Sequence, residues 1–129
     1  MLSREYYNTL CETLAQAHGL MVTWNNPLDN DIYLIEDYIV IGAFQHPIEL
    51  IVSLLHEIAH TKLIYPTVGH VCERTCWLMA FKALRDLNLH TELKYSHLKR
   101  ILARIKHEPI NRTHYRVPQS MACHRCIYS

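Results

Sequence analysis

The sequence predicts an α+β fold, a small antiparallel sheet packed on about four helices with one apolar helix at the centre. Three observations carry this. Several segments place apolar residues at helical spacing, two short runs rich in β-branched and aromatic residues stand only two residues apart, and the order along the chain is α, then β, then α. A chain of 129 residues can bury one core but not two. Residues 1–108 are therefore expected to form a single domain, with 109–129 as an extended or loosely packed tail.

Ser3 is placed to cap a first helix, its hydroxyl accepting a backbone N–H that has no partner within the helix. Tyr7, Leu10, Leu14 and Ala17 define that helix's expected inner face, Cys11 is expected in the core, and Gly19 is its stop. Leu20 to Trp24 reads as a short strand broken by Asn25-Asn26-Pro27. Ile32–Ile35 and Tyr38–Ile41 read as two strands, with Glu36-Asp37 as the tight turn between them.

Pro47 suits the first turn of the next helix, where a missing N–H costs nothing. Ile48, Ile51, Val52, Leu55, Ile58 and Ala59 form its stripe, and Pro66 is its expected end. A third helix is expected from about Gly69 to Asn88. Its middle, Cys76 to Phe81, is apolar on every side and predicts burial all round. The fourth, about Tyr95 to Lys106, is amphipathic, with Leu98, Ile101, Leu102 and Ile105 inward and Lys99, Arg100, Arg104 and Lys106 outward, and Pro109 closes it.

Composition excludes some classes. Half the residues are apolar and only three are Gly, which argues for a folded chain. No stretch approaches the roughly 18 uncharged apolar residues that span a bilayer. The N-terminus lacks an apolar signal segment, so a cytoplasmic protein is expected. Five cysteines, an odd number, argue against a disulfide framework. Residues 1–93 hold 5 Lys/Arg against 11 Asp/Glu, whereas 94–129 hold 8 against Glu108 alone. That asymmetry reads first as a solvated basic helix on an acidic body, and second as a nucleic-acid contact through 94–129.

The chemistry concentrates in His56-Glu57-Ile58-Ala59-His60, an HExxH motif. Residues four apart share a helix face, so both imidazoles can reach one Zn²⁺. Glu57, about 100° round the helix, can act as general base on a metal-bound water. A catalytic zinc also needs a third protein ligand and one open position. The HExxHxxGxxH spacing requires Gly at position 63 and His at position 66, and the chain has Leu63 and Pro66 there. Glu73 and His70, at the start of the third helix, are the remaining candidates, with Glu73 placed first. Their spacing lets both face the metal, one as ligand and one supporting it.

A small sheet leading into HEIAH, and then a helix that opens Glu73-Arg74-Thr75-Cys76-Trp77-Leu78-Met79-Ala80, resembles the ImmA/IrrE-type zinc metallopeptidases. The likeness is to the short versions carried by phages and mobile elements, and it spans about residues 32–85. It implies a zincin-like fold built on the HExxH helix, zinc held by His56, His60 and Glu73, and Glu57 as catalytic base. A cytosolic protein substrate is also implied, with helix-turn-helix repressors as the family precedent. Gly69-His70 followed by Trp77 is similar, more faintly, to the SprT/Spartan-type proteases, which act on DNA-associated protein. The rival from another class is a non-catalytic zinc-containing binding protein, such as a phage factor that grips a host protein.

Cys72 and Cys76, four apart, together with Cys123 and Cys126 of the tail CxxC, are candidates for a second, structural zinc, with buried free thiols as the favoured alternative. Tyr65, His114, Tyr115 and Arg116 are types able to stabilise an oxyanion. His18, His46, His90, His97 and His107 read as structural, and Trp24 and Trp77 as core.

Overall fold

Ser3 does cap the first helix: its Oγ accepts the Tyr6 N–H at 3.1 Å. In the computed structural model, which describes residues 2–62 and 69–107 with side chains for all of these except 69–72 and 104–107, α1 runs Arg4–Ala17. It ends at His18, and Gly19 follows with φ +73°. The buried line is Tyr7, Cys11 and Ala15, with Leu10 and Leu14 packed beside it. Ala17 is exposed, contrary to the sequence expectation, because at about 100° per residue it falls about 120° round the helix from the centre of the Tyr7, Cys11 and Ala15 line.

Three strands follow: β1 (Met21–Thr23), β2 (Ile32–Ile35) and β3 (Tyr38–Ile41). β2 and β3 form the expected hairpin, pairing Ile35 with Tyr38 and Ile32 with Ile41, and Glu36 takes φ +51° in the turn. The sheet is mixed rather than wholly antiparallel. Its order is β1-β3-β2, and β1 runs parallel to β3. Three residues carry too little pattern to specify a strand direction. The segment after β1 takes the chain to the far edge of the sheet, where the hairpin's first strand begins. The free edge of β3 thus receives β1, continued by Met21 N–H to the Asp37 carbonyl at 2.8 Å. Gly42 closes this corner, where a Cβ would collide with the Leu28 carbonyl oxygen.

α2 (Pro47–Lys62) is the centre of the molecule. Every residue from Ile48 to His60 is buried, because α1 and the sheet contact the helix as well as α3 and α4. The expected apolar stripe is therefore only one side of a helix enclosed all round. Glu49, Ser53, His56 and His60 fall within an arc of about 60° and make a buried polar seam along it.

α3 (Gly69–Asp86) packs along α2 and is less buried than its sequence predicts, since Leu78 is 64% exposed. Its six consecutive apolar residues exceed what its one packed face can cover. A 3₁₀ turn at His90–Glu92 leads to α4 (Tyr95–His107). There Ile101 is buried and Leu98 half-buried, while Leu102, expected inward, is 52% exposed. Arg100, expected in solvent, reaches back to α2. Its Nε and Nη2 both donate to Glu49 Oε2 at 2.9 Å. No helix among the described residues is long and apolar enough to cross a membrane. Pro66, Pro109 and the 109–129 tail lie outside the described residues.

Candidate metal centre

Two helices build the site. α2 supplies His56, Glu57 and His60 from one turn, and α3 supplies Glu73 from its second turn. His56 Nε2 stands 3.1 Å from Glu73 Oε2, and His60 Nε2 stands 2.7 Å from Glu73 Oε1. The two imidazoles meet at 78° with centroids 4.7 Å apart, so their Nε2 atoms converge on one carboxylate. His56 and Glu57 are each 2% exposed and His60 1%, whereas the Glu73 side chain keeps 13%. Solvent therefore reaches the group from the α3 side.

Trp77 completes the setting. It lies one turn after Glu73 on the same face of α3 and stacks on the His56 ring at 4.0 Å and 11°. Packing α3 against α2 thus delivers the carboxylate and the plate that fixes the imidazole together. The Trp77 indole N–H has no hydrogen-bond partner among the described residues, so the side chain is held by its ring face. Sequence reasoning placed Trp77 in the core, and it is 5% exposed there, but its role at His56 was missed. The signal was its i,i+4 relation to Glu73. Trp24, also expected in the core, is 42% exposed and donates to Glu12 at 3.2 Å.

His56, His60 and Glu73 each offer a donor atom to one point, and such a set can hold a metal ion. Bonds of about 2.0–2.1 Å at tetrahedral angles set ligand atoms about 3.3 Å apart, so the observed 2.7 and 3.1 Å need only slight opening. Glu57 fits the same reading. Its Oε1 is 3.6 Å from His56 Nδ1, while Oε2 is buried without a hydrogen-bond partner among the described residues. A buried carboxylate oxygen left unsatisfied is costly unless it has work to do.

Burial alone would lower the His56 pKa. The Glu57 and Glu73 carboxylates beside the ring, the second within hydrogen-bond distance, outweigh it and raise the value to about 10. In the metal-free chain a proton therefore occupies His56 at neutral pH, and a bound cation must displace it. Apparent metal affinity should keep rising from pH 7 to 8.5, by roughly tenfold per unit for one released proton. An ordinary imidazole would level off above about pH 6.5. Competition titrations with a chromogenic chelator across that range distinguish the two.

Several sequence candidates fall elsewhere. The side chains of His70 and Cys72, and all of Tyr65, His114, Tyr115, Arg116, Cys123 and Cys126, lie outside the described residues. Cys76 is fully buried, and burial followed by the nearby Glu73 and Glu57 charges pushes its thiol pKa up, so it sits in the core as a neutral thiol. His46 and His97, read as structural, are brought together beside Glu49. No protein-family model matches the chain, and no curated protein or solved structure matches it either, so its function has to be argued from the site itself.

Proposed function

We propose that the chain is a zinc-dependent endopeptidase acting on a protein substrate in the cytoplasm, with His56, His60 and Glu73 as ligands and Glu57 as general base. The observation that carries this reading is the convergence of two imidazole nitrogens and a carboxylate on one point, with an unpartnered Glu57 oxygen in the next position on the helix. A set of two His and one carboxylate suits zinc in a site that keeps one position open. When bound there, zinc supplies Lewis acidity to the scissile carbonyl and lowers the pKa of water.

The chain's own residues do the rest. Glu57 takes the proton of the attacking water at Oε2 and passes it to the leaving amine, which requires the same carboxylate to act as base and then as acid. Trp77 holds the His56 plane, and Glu57 Oε1 beside His56 Nδ1 biases that ring to present Nε2 to the metal. The likeness to ImmA/IrrE-type peptidases supports a helix-turn-helix repressor as the first substrate to try. The SprT/Spartan-like alternative takes a DNA-associated protein, with residues 94–129 meeting the nucleic acid.

A second reading is favoured by one observation. Near-complete burial of His56, Glu57 and His60 suits a closed site that keeps zinc for structure in a binding protein. Elemental analysis of the purified full chain tests the common ground: about one zinc per chain is expected at the buried centre, and His60→Ala should lose it. Zinc-loaded chain added to a host lysate should then yield new protein termini that a chelator prevents and re-added zinc restores. Metal-free protein overturns both readings, whereas bound zinc without any metal-dependent cleavage overturns the enzyme and leaves the binder.

A further inference from the structure

The polar seam of α2 does not end at the buried centre. At its start, His46, Glu49 and His97 bring donor atoms within 4.8 Å of one another. We propose that these three residues form a second, separate metal site, for a divalent ion of the zinc class, which ties α4 to the start of α2.

Each ligand is held by its own element. His46 directly precedes α2, and its carbonyl accepts the N–H groups of Glu49 and Leu50 at 3.0 and 3.3 Å. Glu49 is buried in the first turn of that helix. His97 comes from the first turn of α4, and its ring meets that of His46 at 5.2 Å and 61°. Two imidazoles and one carboxylate are the donors that borderline metals prefer. A contraction from at most 4.8 Å to about 3.3 Å completes the geometry, and both rings are only half-buried.

The site is independent of the buried centre and of any peptidase activity. Seven residues separate Glu49 from His56, a rise of about 10.5 Å, against the roughly 3.5–4 Å of paired catalytic metals. Two local contacts compete with the ion and make this the weaker site. Arg100 holds Glu49 Oε2, leaving Oε1, but the Arg100 side chain is 44% exposed and can withdraw. The Lys94 N–H donates to His97 Nδ1 at 3.0 Å, and the ion costs that bond on either route, by taking Nδ1 itself or by taking Nε2 and moving the ring proton to Nδ1.

Equilibrium dialysis of the full chain against buffered Zn²⁺ tests the proposal. A second equivalent is expected at free zinc on the order of micromolar, after the buried centre has filled. His46→Gln and His97→Gln should each remove that equivalent and keep the first, whose retention also reports an intact fold. Cys126→Ser should keep both, and Arg100→Gln should tighten the second. The proposal is overturned if no second equivalent binds up to about a hundredfold higher free zinc. It is equally overturned if the second equivalent survives both His substitutions, or disappears with Cys126→Ser.

Discussion

Glu57→Gln should retain zinc, unfold at a similar temperature, and lose peptide hydrolysis by about 10²–10⁴-fold, the usual contribution of a general base. The substitution keeps the volume of the side chain and one carbonyl oxygen facing His56 Nδ1, so the ligand geometry persists. It removes the one group able to accept a proton at the position where Oε2 is now unpartnered. The experiment compares new protein termini in host cells expressing the natural chain or Glu57→Gln, looking first among repressors and DNA-associated proteins. If both produce the same biological effect and no difference in termini, the chain works by binding and the buried centre is structural.

The motif helix and the hairpin were legible because each rests on local rules. Pro47 marks the start of α2, and Glu36-Asp37 leaves room only for a tight turn, so their boundaries follow from the residues themselves. What depended on packing was not legible. Burial all round α2, against a half-exposed α3, depends on which helix lies between the other layers, and both helices carry apolar runs. The parallel pairing of β1 depends on the path of residues 24–31, which have no periodicity to reveal it. At the site, His56, Glu57 and His60 were readable from spacing within one turn. Glu73 was one of two candidates, because the spacing between helices is not written in either helix. His46 and His97 were read as isolated histidines, since only tertiary contact between α2 and α4 puts them near Glu49. The Arg100 bond to Glu49 was hidden for the same reason.

Glu73→Ala is expected to reduce zinc affinity by more than about 100-fold, beyond the 10–100-fold typical of losing a supporting partner, while His70→Ala stays within that lower range. The ranking follows from position. Glu73 places one carboxylate oxygen on each Nε2, so its removal takes away a ligand and the anion that balances two buried imidazoles around a cation. Charge burial is costly unless paired, and the two imidazoles can bring only partial compensation through Glu57. The same variant has a signature in the absence of metal. Glu73 is one of the two groups that hold the His56 pKa up, so in Glu73→Ala the value must fall, and the proton that opposes metal binding is held less tightly. Zinc binding should consequently depend less steeply on pH between 7 and 8.5 even as it weakens. A variant that merely unfolded the site would show the flat pH dependence of ordinary imidazoles together with a lost thermal unfolding transition, so the melting profile is recorded alongside. Isothermal titration of the two variants at several pH values separates these outcomes. Wild-type affinity in Glu73→Ala, combined with a loss beyond about 100-fold in His70→Ala, would move the third ligand to His70 and turn the reading toward the SprT/Spartan-like alternative.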